Sequence, residues 1–158
     1  ASEIVERHAQ ALARFAASHG VRDAVDELVQ DTFVRAFGSL ESFRADSSLR
    51  TWLFTILKRL MLDRQRAERR GRHTVELEAD HAVQEFNALD GMVADEAVTR
   101  VRQAVERLSP LQREVFTLRV TEGLPYVEIA RIVESTEGAC RVHYHNAMRA
   151  IKEYLSDD

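Results

Sequence analysis

Apolar residues along this chain recur at helical spacing, and glycine, proline and short polar runs separate the stretches that result. Ile4, His8, Leu12 and Phe15 share one side of a helix predicted over Ser2 to His19, closed by Gly20. From about Asp23 to Phe37 the pairs Leu28 and Val29, Thr32 and Phe33, Ala36 and Phe37 repeat every four residues, and Gly38 is expected to end that helix. After the loop SLESFRADSS comes the most regular segment, in which Leu49, Trp52, Leu53, Ile56, Leu57, Leu60 and Met61 follow the i, i+3, i+4, i+7 rule. These patterns predict an all-α chain.

The most informative stretch lies farther on, at residues 109–149. Ser109 can cap a helix, Pro110 takes its first position and Gln112 its third, the arrangement of a capping box. Leu111, Val115, Phe116 and Leu118 carry that helix toward Gly123, whose freedom at positive φ makes it a natural stop. A shorter helix follows from Pro125 with Tyr126, Ile129, Ala130 and Val133 inward, and the pattern breaks at Glu134, Ser135 and Thr136. Ser135 or Thr136 then caps a last helix of about Glu137 to Tyr154. Two helices joined by so short a turn have the form of a helix-turn-helix, with Arg141, His143, His145, Asn146 and Arg149 offered to phosphates and base edges of a major groove. A plain three-helix packing unit with a polar outer face has the same signature.

Charge changes the picture. The net charge of -4 argues against nucleic acid only if it is spread evenly, and it is not. Residues 1–72 hold 13 Lys/Arg against 10 Asp/Glu, and within them residues 44–72 hold 9 against 3. Residues 73–99 hold 7 Asp/Glu and no Lys or Arg, while residues 100–158 balance at 9 against 9. One basic segment, one acidic segment and one neutral segment therefore follow each other. The basic one is the regular helix, whose polar side carries Arg50, Thr55, Lys58, Arg59, Asp63, Arg64 and Arg66 and runs on into Arg69, Arg70 and Arg72. With Phe43, Trp52 and Phe54 at its entrance it has the composition of a single-strand nucleic-acid site, where cations hold the backbone and rings stack on bases. Trp52 also lies on the apolar stripe, where a core role competes. The preceding helix offers Asp26, Glu27, Gln30, Asp31 and Arg35 on its polar face, either a solvated surface or a docking surface.

The 158 residues, 45% of them hydrophobic, suffice for one or two small packed domains. No run approaches the roughly 18 apolar residues of a membrane span, and no export signal stands at the start, so a cytoplasmic protein is expected. Cys140 is the lone cysteine and is expected to be a buried free thiol. His143 and His145 lie about 200° apart around a helix and cannot share a metal. His73, Glu76, Glu78, Asp80 and His81 form a looser cluster in the acidic segment. No nucleophile with a base, phosphate loop or metal spacing marks an enzyme.

Two stretches in order, DELVQDTFVRAFGSLESFRADSSLRTWLFTI and LSPLQREVFTLRVTEGLPYVEIARIVES, resemble the extracytoplasmic-function group of the sigma-70 family of bacterial sigma factors. The resemblance covers residues 3–70 and 97–155. It implies two small helical domains, a sigma-2-like bundle over residues 1–72 and a sigma-4-like helix-turn-helix over residues 97–158, joined by an acidic linker over residues 73–96. It implies further a non-catalytic subunit that needs no cofactor, metal or small-molecule substrate. Its implied partners are core RNA polymerase, promoter DNA and an anti-sigma factor, often membrane-anchored.

By that similarity Glu27, Gln30, Asp31 and Arg35 dock on polymerase. The loop residues Phe43, Arg44, Asp46, Ser47 and Arg50 would receive a flipped −10 base, with Lys58, Arg59 and Arg66 on the backbone or base edges. Thr136, Glu137, Arg141, His143, His145 and Arg149 would meet the −35 duplex.

The linker is expected to thread a positively charged polymerase channel or to act as a plain tether, with residues 83–92 transiently helical. About 25 residues extend to roughly 85 Å, and two helical turns of DNA span about 70 Å, so the reach suffices. The tail VHYHNAMRAIKEYL is similar to sigma factors of nickel and cobalt resistance, so a stress or metal-resistance regulon is one expectation.

Several positions depart from the family pattern. Ala45 replaces a frequent glycine, Arg59 a frequent asparagine, Pro125 a serine and Glu134 a glycine, while His143, Asn146 and Met148 stand where arginine is common. Three other functions compete: a dimeric operator-binding regulator, a sigma-like decoy that titrates an anti-sigma factor, and a small helical enzyme. The first lacks a dimer stripe, and the second should lack the basic face of residues 50–72 that is present here.

Overall fold

A computed structural model of the protein describes residues 2–21, 23–43, 47–71 and 96–156. Two segments singled out in the sequence, the 83–92 stretch and the cluster of His73, Glu76, Glu78, Asp80 and His81, lie outside the described residues, as do Arg44 and Asp46. Contacts divide the chain into two compact units, with the boundary between residues 76 and 77. The described residues form seven α-helices and one short 3-10 turn.

In the first unit α1 (Ser2–Ser18), α2 (Val25–Gly38) and α3 (Leu49–Arg70) pack pairwise around one core. Leu12, Phe15, Leu53, Phe54 and Leu57 are at most 1% exposed and form its centre, with the Phe15 and Phe54 rings 5.0 Å apart in a tilted pair. Leu12, Phe15, Leu53 and Leu57 are stripe residues of the sequence pattern, so burial of the amphipathic faces accounts for the packing. Phe54, expected among the rings at the entrance of the basic helix, is instead fully buried and cannot stack on a base. His8 is buried with them and accepts a hydrogen bond from Arg50, and Thr32 donates its hydroxyl back to the Leu28 carbonyl at 2.7 Å.

Two boundaries differ from expectation. α2 starts at Val25, two residues after Asp23, and its N-cap Ala24 provides no side-chain cap. Gly38 is the last helical residue and not the stop that follows it. Ser39 ends it, its hydroxyl and its N–H both returning to the Arg35 carbonyl. At α3 the entry is strongly specified: Ser48 takes the extended conformation of an N-cap and accepts the Thr51 N–H at 3.1 Å.

The second unit holds α4 (Glu96–Glu106), α5 (Pro110–Val120), α6 (Tyr126–Val133) and α7 (Glu137–Ser156), with α7 packed on all the others. The helix pattern did not single out α4, although Val98, Val101 and Val105 have helical spacing. Val98 and Val101 are exposed, and α4 is held mainly through Ala104 and Leu108, which join Ala147 and Ile151. Polar bonds tie it further. Arg113 donates to the Val105, Glu106 and Leu108 carbonyls, closing the end of α4, while the Tyr154 hydroxyl reaches Gln103.

The capping box at α5 is formed in both directions, Gln112 N–H to the Ser109 hydroxyl and Ser109 N–H to the Gln112 side chain. α5 ends at Val120, and Gly123 turns the chain at φ +67 before Leu124 is buried. Pro125 is the N-cap of α6, its carbonyl receiving the Glu128 and Ile129 N–H groups. At the far end of α6, Glu134 occupies the left-handed region at φ 57, where the family often has glycine.

Candidate nucleic-acid interfaces

On the first unit two faces turn outward. Along α2 the side chains of Glu27, Gln30, Asp31 and Arg35 are exposed, as the pattern predicted. In their midst stands Val34, 65% exposed, with Phe37 beside it. Sequence reasoning missed Val34 because it lies off the buried stripe, and the missed signal was an apolar residue at i+3 and i+4 from the polar positions. An apolar centre within a polar rim is the composition of a protein interface. Arg35 also lines a groove between α2 and α3 with Ser39, Trp52, Thr55 and Arg59, so it borders the other candidate surface.

That second surface is α3 and the loop before it. Lys58, Arg59, Leu62, Arg66 and Arg69 recur on one side of α3, and Arg59, Arg66 and Arg69 are exposed there. Arg64 turns away to Glu68 at 3.1 Å and Asp23 at 3.7 Å, whereas Arg66 makes only a 3.9 Å surface pair with Asp63. Such exposed pairs contribute little and are easily exchanged for a phosphate.

The loop is gathered onto α3 by Phe43, whose ring lies 5.0 Å from that of Trp52. Trp52 is therefore only half-buried, and its core role is partial: one part seals α3 and the other supports Phe43. Ser47 is half-buried next to the cap. Arg50 does not extend toward the loop's outer side. Its Nε donates to His8 Nδ1 at 3.3 Å and its terminal nitrogen to the Arg7 carbonyl at 3.4 Å, which ties the start of α3 to α1.

On the second unit, Thr136 is the cap of α7, its hydroxyl accepting the Ala139 N–H at 3.0 Å. Of the expected contact residues, Glu137, Arg141, His145 and Arg149 fall four apart along the exposed side of α7, joined by Val142 at 56% exposure. His143 does not join this row: it is half-buried on another flank of the helix. Within the row Arg149 approaches His145 at 3.4 Å.

Arg141 is held by an aromatic ladder that the sequence did not reveal. Its guanidinium lies 4.6 Å from the Tyr126 ring centroid, and so does that of Arg119 from α5. Tyr126 meets Tyr144 edge-on, and Tyr144 stacks on Phe116. Arg119 is further fixed by donating to the Leu124 carbonyl at 3.0 Å. The inward spacing of Tyr126 suggested a core residue, whereas its ring is half-exposed and carries two cations. The Cys140 thiol is on the buried side of α7, pushed above its ordinary range by burial first and then by Glu114 and Glu137.

Comparison with known proteins accounts for both units. Residues 4–71 match Sigma-70 region 2 and residues 99–151 match Sigma-70 region 4. The RNA polymerase sigma-H factor of Pseudomonas aeruginosa is 32% identical over 146 residues, covering 87% of this chain and 75% of that protein. Among solved structures, the sigma factor RpoE of Bartonella quintana, crystallised with the anti-sigma factor NepR, superposes with a TM-score of 0.74 at 27% identity, covering 99% of this chain and 97% of that one. CnrH, solved with the cytosolic domain of CnrY, gives a TM-score of 0.66 at 28% identity, covering 99% and 88%. The chain belongs to the extracytoplasmic-function group of the sigma-70 family. It is a promoter-specificity subunit for transcription initiation, and it is not an enzyme. No helix among the described residues is long and apolar enough to cross a membrane.

Proposed function

We propose a division of labour among the surfaces described above. The α2 face of Glu27, Gln30, Asp31 and Val34 docks on core polymerase, with Arg35 at its edge toward α3. Phe43, Ser47, Lys58, Arg59 and Arg66 capture the opened −10 strand, and the row Glu137, Arg141, His145 and Arg149, with Thr136 at its start, meets the −35 duplex. The observation that carries this reading is the one-sided basic face of α3 beside the tilted ring pair of Phe43 and Trp52, since cations and rings together suit single-stranded DNA better than duplex. Holding the open strand shifts melting by mass action, with stacking contributing about 1 to 3 kcal/mol per base. Promoter opening then needs no nucleotide hydrolysis.

An anti-sigma factor is the proposed regulator, since the relatives RpoE and CnrH were each solved bound to one or to such a domain. The protein is proposed to act in the cytoplasm, where its polymerase is. Its acidic segment, with no Lys or Arg over residues 73–99, suits a basic channel better than a DNA surface.

The test is Lys58→Ala combined with Arg59→Ala. Two lost phosphate contacts should weaken open-complex formation and lower the slope of log affinity against log salt by about 2, with polymerase docking near the wild-type value. Failed docking with normal opening would reverse the assignment of the two faces.

A further inference from the structure

Phe43 and Arg50 are each anchored to a neighbouring element, and one of the anchors carries a titratable group. Phe43 lies against Trp52 in a tilted pair, the rings 5.0 Å apart. Arg50, in the first turn of α3, reaches across to α1 and donates to Nδ1 of His8 and to the Arg7 carbonyl. His8 is 8% exposed and sits among the core residues of α1. For Arg50 to donate to Nδ1 that nitrogen must keep its lone pair, which it does only in the neutral ring.

Protonation would turn both ring nitrogens into donors and set a cation against a guanidinium. The charged groups that act on His8 are Arg50 from α3 and Arg7 from its own helix, both of them cations, with Arg7 itself pairing with Glu3 at 3.5 Å on the surface. Burial first, then Arg50 and Arg7, accordingly holds the ring below its ordinary value of 6.5.

We propose that His8 is a positioning residue for −10 capture: its neutral ring holds Arg50 against α1 and fixes the stretch from Ser47 to Arg50, so acidification releases that stretch and weakens its grip on the strand. This rests on assigning that stretch to the −10 element. Arg50 then acts through the stretch's conformation and not by touching DNA. The device is local to the first unit and asks nothing of the rest of the chain.

The full chain, assembled with core polymerase on a promoter fragment bearing a fluorescent base in the −10 nontemplate strand, tests it between about pH 7.5 and about pH 5.5. His8→Gln keeps a neutral acceptor and serves as the reference that does not titrate. Wild-type capture should fall relative to His8→Gln across that range by less than about tenfold, the limit set by a ring that titrates below 6.5. His8→Leu should be weakened at every pH, and adding Arg50→Ala to it should cost nothing more, because the two residues act as one unit. Melts recorded at each pH should show wild-type capture lost while the helices are still folded.

A His8→Gln profile that titrates like wild type would overturn the proposal. So would an Arg50→Ala effect that adds in full to His8→Leu, since Arg50 would then touch the strand itself. Capture lost only together with the fold would sink it as well. If Phe43→Ala weakens capture and His8→Leu does not, the −10 assignment stands and the latch falls; if neither has an effect, both fall.

Discussion

Tyr126 illustrates how a single ring organises the DNA-facing side of the second unit. With Arg119 and Arg141 each 4.6 Å from its centroid, the ring pre-extends a cation on the recognition helix that would otherwise lose side-chain entropy on binding. Each exposed cation–π contact contributes about 0.5 to 1 kcal/mol, so Tyr126→Leu should reduce −35 affinity by roughly two- to fivefold. Tyr126→Phe keeps the ring and should stay close to wild type; titration of a labelled −35 duplex by the polymerase-bound protein measures both. A Phe variant as weak as Leu would move the effect from the ring to the hydroxyl.

His8 makes a second prediction at this scale, for stability. Its folded-state value lies below the ordinary 6.5, so as pH falls the unfolded chain takes up the proton first. The stability due to the neutral ring is thus complete above about pH 6.5 and is lost progressively below it. Melting of the first unit should fall between about pH 7 and about pH 5.5, and His8→Gln should flatten that dependence. An unchanged slope in the variant would assign the acid sensitivity to other groups.

Among the elements, caps decide more than propensity does. The Ser109 and Gln112 box closes both orphan ends of the first turn of α5, and α5 supports α7 through Val115 and Leu118. Ser109→Ala should therefore lower the stability of the second unit by about 1 kcal/mol. For a domain of this size that is a melting shift of about 4 to 8 °C, read by calorimetry.

This box, the stripe of α3 and the turn before α7 were all legible in the sequence, because each is set by chemistry within a few residues. What was not legible was set by neighbours distant in the chain. Gly38 continues α2 because Ser39 supplies the stop. α4 escaped notice because Val98 and Val101, two of its three patterned valines, face outward, while Arg113 of α5 and Tyr154 of α7 hold it in place. His143 and His145 were both assigned to the duplex although about 200° separates them around the helix, and only His145 falls on the exposed row. Arg50 and Tyr126 likewise took their roles from partners 42 and 15 positions away, His8 and Arg141.

For the molecule as a whole, the sequence places opposite charge in consecutive blocks, and the blocks match three different surroundings. The basic α3 suits an exposed strand, the acidic segment suits a basic channel, and the balanced second unit presents Arg141 and Arg149 on one side of α7. None of these surfaces alone selects a gene. Selectivity comes from requiring two DNA elements at once while polymerase holds the protein, so that weak individual contacts multiply through effective concentration. A protein built this way should bind poorly to duplex by itself and well in the assembled complex.

The most direct measurement mixes the purified chain with core RNA polymerase and a pool of promoter fragments, and sequences the transcripts. The expected result is initiation from a small set of fragments sharing two short elements, at start sites that core polymerase alone does not use. Tight binding to isolated duplex by a chain that never associates with the polymerase would contradict the account.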